Sequence, residues 1–428
     1  MNLRSLESWR CMMYSIKTII ASAAIIAGSA SVQAQPVLSL SDVLKEVEKN
    51  SPSLKVFDAR VNSQNAKIAG AGAWMAPMVG VGSFMTPYPG TEQMGEENKG
   101  ALMISAEQDI PNPAKVSAKR RYLSAQAGVT MAEKAAFFNG LRARTKQLYL
   151  ELIVSYRKRA VQKENLRIMQ NMKKLAAIRY PYSQGSLSQV YKAEGREYES
   201  QNMILMTEGE IQSRTALLNA LMYRDGGTPF VPDTTFKVAY RPIALADSSY
   251  FASSRSDILQ MDKAISAMQL NIEQMRKEIK PDFKLKFDHM KSYSSMMPAQ
   301  FTAMAMVSIP IVPWASSMYK AEEKSMKFEI EAMNQRREAM LTEMSGMARS
   351  MDAELRGMED QIWNFEEKIL PALSKNLRVS MLAYQENKLD LNMVIDAWEA
   401  QNMAQMNYLS QLQKFYQMIA AYEETIER

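Results

Sequence analysis

The chain has 428 residues, 47% hydrophobic and 23% charged, with a formal charge of +6, so it can bury a large core and is not a disordered tail. One Cys, one His, 17 Gly and 16 Pro stand against 35 Met. Cys11 and His289, single and far apart, exclude a Cys/His zinc site, an internal disulfide and a CxxC redox pair, and no nucleophile and base can be placed together for an enzyme. Low Gly and Pro disfavour a sandwich or propeller with a turn every dozen residues, which leaves long helices.

In chain order, residues 1–34 read as a cleaved secretory signal, with Lys17, the apolar stretch from Ile19 to Ala27, and small residues around Val32-Gln33-Ala34. The apolar core is about half of the ~20 residues that a membrane anchor needs. Losing Arg4, Glu7, Arg10 and Lys17 takes the formal charge from +6 to +4, too mild and dispersed for a nucleic-acid partner. No later segment is a continuous apolar span, so any entry into a membrane is by strands.

Residues 35–428 read as one domain built from two repeats, 37–225 and 249–428, joined by a linker at 226–248. Asn50-Ser51-Pro52-Ser53-Leu54 precedes Ser254-Arg255-Ser256-Asp257-Ile258 by 204 positions. Asp109-Ile110-Pro111-Asn112-Pro113 matches Ser308-Ile309-Pro310-Ile311-Val312-Pro313 at an offset of 199, and Tyr182 to Leu187 matches Tyr384 to Leu389 at 202. Each repeat predicts a helix, two strands, a very long helix, a tip turn and a return helix. Ser39 and Asp42 form an S-x-x-D cap on the first helix. The long helices run from Ala114 to about Ile178, ~98 Å at 1.5 Å per residue, and from Trp314 to about Val379. Met340, Met344, Met347, Met351, Leu355, Met358, Ile362, Phe365 and Ile369 form one seam of the second, at the period of a straight helix. The turns Tyr182-Ser183-Gln184-Gly185 and Tyr384-Gln385-Glu386-Asn387 each offer Gly or Asn for a left-handed residue.

The strands alternate strictly. Leu102, Ile104, Phe283, Leu285, Phe287 and Val307 make an apolar face, expected to meet lipid. Met103, Glu107, Asp109, Lys284, Lys286, Met304 and Met306 make the opposite face, expected to line a lumen. A weaker segment, Met78 to Thr86, puts Val79, Val81 and Met85 on the apolar side. Such alternation also fits half-buried hairpins on a soluble core, but helices of this length have no core wide enough to need them. Four strands cannot close a barrel without other copies of the chain.

In order and at these spacings, the features resemble the TolC-type outer-membrane efflux family over nearly all of 37–427. The matching segments are Leu38-Ser39-Leu40-Ser41-Asp42-Val43-Leu44, Asn50-Ser51-Pro52, Arg255-Ser256-Asp257-Ile258 (where the family favours Pro at Ser256), the Ile-Pro junctions at Pro111 and Pro310, and Val394-Ile395-Asp396-Ala397. The resemblance implies a mainly α protein with a small transmembrane β part, assembled as a homotrimer: an α-helical barrel across the periplasm topped by a 12-strand outer-membrane β-barrel. It implies as partners outer-membrane lipid, a periplasmic adaptor (membrane fusion protein) and an inner-membrane pump of RND or ABC type. The role implied is a passive channel of a tripartite efflux or type I secretion system, exporting drugs or, in one branch, copper and silver, with no cofactor and no catalysis. The competing reading is a periplasmic coiled-coil spacer or adaptor that never inserts.

At the tip the resemblance implies a pore constriction at Asp396 and Met393, where three carboxylates would favour cations, and closing contacts through Tyr384 and Lys388. Leu389 stands where some members carry Arg, and Gln189 and Lys192 flank the other bend with no role assigned. Thioethers select soft ions, so Met393, Met304 and Met306 are transient contacts for such an ion without being a resident metal site. Most other methionines fall on helical seams as packing residues.

Overall fold

The chain enters its first helix through a reciprocal cap. The Asp42 N–H donates to Ser39 Oγ and the Ser39 N–H to the Asp42 carboxylate, both at 3.3 Å, satisfying two of the orphan donors of α1, Leu40–Asn50. The computed structural model describes residues 36–88, 90, 99–182, 186–236, 238–243, 247–308 and 313–428. The expected signal, Ser183-Gln184-Gly185 and the Ile309-Pro310 junction lie outside them.

From α1 the chain runs through α2, Pro52–Gly70, strands β2, Met78–Phe84, and β3, Ala101–Ile110, into α3, Pro113–Arg179. This helix has 67 residues and is ~100 Å long. A 3₁₀ turn at Tyr180–Tyr182 precedes the return helix α4, Leu187–Leu221. The same order then recurs: α5, Ser248–Ser254, and α6, Ser256–Glu278; β5, Phe283–Ser292, and β6, Gln300–Val307; α7, Pro313–Asn364; α8, Leu370–Gln385; and the return helix α9, Leu391–Thr425. A minor parallel pair joins β1, Val37–Leu38, to β4, Val231–Pro232. No described helix is long and apolar enough to cross a membrane.

The second long helix departs from the expectation that it stops near Val379. Between α7 and α8 lies a π turn, Phe365–Ile369, where the Leu370 N–H reaches back five residues to the Phe365 carbonyl. Pro371 follows at once; it has no N–H to give, and its ring crowds the carbonyl four residues earlier, so the ladder widens instead of breaking. The extra residue shifts the inward stripe. Leu355, Met358 and Ile362 face the core before it, whereas Leu377, Met381 and Tyr384 do so after it. Ile369, expected on the seam, is consequently 39% exposed.

Two cores hold the helices. The larger, around mid-length, centres on Tyr149, Leu152, Ile153, Phe230, Phe251, Leu355 and Tyr422, with Met340, Met344, Met351 and Met358 packed against it. The Tyr149 hydroxyl donates to the Leu38 carbonyl at 2.7 Å and accepts from the Asp233 N–H at 3.0 Å, pinning both minor strands to α3. The Arg255-Ser256-Asp257-Ile258 motif closes the chain end onto this core. Arg255 forks onto Asp257 at 2.8 and 2.6 Å and donates to the Thr425 carbonyl, while Glu427 accepts from the Ser256 N–H at 2.6 Å. Burial raises the Asp257 carboxyl, but the Arg255 guanidinium more than offsets this and holds it below its ordinary range.

The second core is at the tip: Met169, Met172 and Ala176 of α3, Ala193 of α4, Leu377 and Tyr384 of α8, and Leu391, Val394, Ile395, Ala397 and Trp398 of α9. The expected left-handed residue is Asn387, at φ 59°. The Lys388 N–H reaches the Ala383 carbonyl at 2.8 Å, as at a glycine-type helix stop.

Candidate functional site

The strands form one antiparallel sheet in the order β2-β3-β5-β6. All four meet their helices at the same end, near Met78, Ile110, Phe283 and Val307, and residues 85–100 and 293–299 connect them at the other. Asn112 locks this junction: its side chain accepts from the Ala114 N–H, capping α3, and donates to the Pro281 carbonyl at 2.7 Å. Lys115 adds an ion pair to Asp282 at 2.7 Å.

Directly paired residues in a sheet share a face, so the register sorts the strand residues into two sets. Val79, Ala106, Phe287 and Ala303 form one cross-sheet row, and Val81, Ile104, His289 and Phe301 another. Ile110, Phe283 and Val307 align at the helix end, and Leu285 lies between Gln108 and Ala305. Leu102 shares this face with Lys291 near the loop end. On the other face Glu107, Lys286 and Met304 align, as do Asp109, Lys284 and Met306, and Met103 opposes Met290. Met85, expected on the apolar side, departs from it: β2 ends at Phe84, and Met85, at φ 51°, already belongs to the turn.

This sheet is inverted relative to a water-soluble one. Its apolar residues are exposed, with Leu285 at 50% and Phe301 at 70%, while on the charged face Asp288 is only 6% exposed and Met304 and Met306 of the edge strand are exposed. The charged face pairs its own groups: Lys284 with Glu107 and Asp109, and Lys286 with Asp288 at 3.5 Å. Among the described residues no helix lies across either face, and β2 and β6 leave two unpaired edges.

At the other end of the helices, Tyr384 is buried inside its own tip. The Arg179 guanidinium stacks over its ring at 4.2 Å and donates to the Gln385 carbonyl at 3.0 Å. Burial raises the Tyr384 hydroxyl, which makes no hydrogen bond among the described residues. Lys388 is exposed and pairs with Glu386 at 2.6 Å. Leu389 packs into the tip core. Met393 and Asp396 are together on the exposed side of α9, the Asp396 side chain 61% exposed.

Gln189 and Lys192 are the residues that sequence reasoning left without a role, and both reach α9. Gln189 donates to the Asp390 carboxylate at 2.7 Å; Lys192 donates to the Asn392 side chain at 3.3 Å and lies 3.8 Å from Asp396. Arg196 adds a bridge to Glu399 at 2.6 Å. The available signal was the repeat itself. The N-caps Ser186 and Asp390 are 204 apart, two more than the offset read from Tyr182 and Tyr384, because the second turn is two residues longer.

Methionine is divided between walls and cores. Met169, Met172, Met340, Met344, Met351 and Met358 are packing residues; Met103, Met304 and Met306 are on the charged sheet face and Met393 is exposed at the tip. Among the described residues no group of three His, Cys, Asp or Glu is placed to hold a metal ion.

No family model matches the sequence, and no curated protein matches it. Solved structures do. The outer-membrane channel OprN superposes with a TM-score of 0.73 at 13% identity, covering 90% of this chain and 89% of that one. CusC, whose structures concern folding and transmembrane channel formation, gives 0.73 at 16%, covering 90% and 91%. The outer membrane protein VceC of Vibrio cholerae gives 0.71 at 14%, covering 90% and 95%. The chain therefore has the fold of the TolC-type outer-membrane channels that its sequence resembles.

Proposed function

We propose that the chain is the outer-membrane channel of a tripartite efflux or secretion system, a passive conduit rather than an enzyme. Three copies would each give four strands to a 12-strand barrel and their long helices to a tunnel across the periplasm. A periplasmic adaptor and an inner-membrane pump would deliver the cargo at the tip. In this reading Leu102, Ile104, Phe283, Leu285, Phe287 and Val307 meet lipid, and Met103, Glu107, Asp109, Lys284, Lys286, Met304 and Met306 line the lumen. One observation carries it: an exposed apolar face, an opposite face whose charges pair with one another and two open edges, placed at one end of helices ~100 Å long. A spacer in water has no use for that inversion.

The test uses the scarcity of thiols, since Cys11 is the one cysteine of the sequence. A cysteine introduced at Met296, exposed between β5 and β6, should react with a membrane-impermeant thiol reagent on intact cells. One introduced at Lys388 should react only after the outer membrane is permeabilised. Protection of both positions on intact cells would refute insertion.

A further inference from the structure

The tip carries a symmetry that the acidic reading of the constriction lacks. Lys192 is the sixth residue of α4 and Asp396 the sixth of α9, so the two repeats put opposite charges at equivalent positions of their return helices. The two helices leave the tip side by side, and the two charged atoms are 3.8 Å apart. Lys192 turns its ammonium to the Asn392 side chain as well as to Asp396, so it leans toward α9.

The neighbouring charges have partners of their own but carry a net negative charge, one Arg196 against two carboxylates and Asp390 held by uncharged donors. Lys388 pairs with Glu386, and Arg196 pairs with Glu199 and Glu399. Asp390 accepts from the Asn392 N–H at 2.8 Å and from Gln189 at 2.7 Å, at the positive end of the α9 dipole. In the proposed trimer a threefold axis would put three such pairs at one height, each Lys192 beside its own Asp396. Opposite charges this close lie well inside the ~8 Å screening length of physiological salt, so an ion on the axis meets their difference and not the carboxylates alone.

Resting on the channel reading above, we infer that Lys192 is a specificity-determining residue: it is the counter-charge of Asp396, and the two together make an electroneutral ring where Asp396 alone would make an acidic one. Charge selectivity is then set by the balance of the two residues, and either can tip it.

The experiment measures reversal potentials in a KCl gradient for the full-length protein, purified from membranes and reconstituted in planar bilayers, with hexamminecobalt(III) as a multivalent blocker. Wild type sets the reference cation-to-anion permeability ratio and degree of block. Lys192→Gln should become more cation-preferring and more readily blocked than wild type, and Asp396→Asn should shift the opposite way, toward anions. The double variant, and the exchange of Lys192→Asp with Asp396→Lys, should return to the wild-type ratio. Both residues are exposed, and the exchange controls for any loss of the tip contact itself. A cation-selective wild type that Lys192→Gln leaves unchanged would overturn the inference, as would five channels of identical selectivity. Absence of conductance in wild type would instead overturn the channel reading.

Discussion

Replacing Ala106 with lysine separates a lipid-facing sheet from a soluble one. Ala106 is the sixth of ten residues of β3, in the row Val79, Ala106, Phe287, Ala303. Five steps of ~3.4 Å at a strand tilt of ~40° put it about 13 Å below the loop end, near the middle of an apolar band ~25 Å tall. Alanine makes little packing to lose, so the perturbation is the charge. Lysine at the bilayer midplane costs about 2–4 kcal/mol per copy, or about 6–12 kcal/mol for three. On an exposed face in water the same change falls within about 0.5 kcal/mol. Ser105→Lys is the control one residue away, on the opposite face, where Asp288 is the cross-strand partner. Urea titration of protein folded into phospholipid vesicles, followed by heat-modifiable mobility, reads the difference. Equal midpoints for the two variants would refute the assignment of faces.

Deleting Glu367 removes the extra residue of the π turn and leaves Leu377 and Tyr384 facing inward, whereas deleting exposed Glu354 one regular stretch earlier turns everything beyond it by about 100°; thermal melts should show the first variant far more stable than the second. The Asp257 carboxyl is held below its ordinary 3.8 by Arg255, so its contribution to stability is present above pH ~3.8 and lost as the pH falls through its lower folded value. Melting temperature measured from pH 5 to pH 3 should therefore drop less steeply in Asp257→Asn than in wild type.

The periodic parts of the molecule were legible because one physical constraint governs many residues at once. Strict alternation in 283–290 follows from a sheet with two chemically unlike faces, and the long α3 follows from 67 residues with no proline after the first. The π turn was not legible in the same way, since Pro371 marks a fault in the ladder without saying whether the helix ends or widens. What decides is tertiary: Leu377 and Tyr384 have a core to reach only if the helix continues, one residue out of phase. At the tip, Asp396 was visible because it lies inside a motif. Lys192 was hidden by a two-residue difference in turn length, which moved the alignment off the N-caps where the repeats actually coincide.

The unpaired edges of the four-stranded sheet constrain the order of events as this protein matures. β2 and β6, of seven and eight residues, each turn roughly half of their N–H and C=O groups outward, and every such group costs several kcal/mol in hydrocarbon. Summed along both edges this reaches on the order of tens of kcal/mol, enough to oppose the gain from taking one copy's apolar face out of water. On the proposed channel reading a lone chain would thus be barred from the bilayer although one face of its sheet is apolar. On that reading the helices, with both cores built from one copy, would fold in water first, and the strands would enter lipid only as neighbouring copies closed the edges. Association and insertion would then be a single step, and the open strand edges in the meantime the part most exposed to wrong pairing.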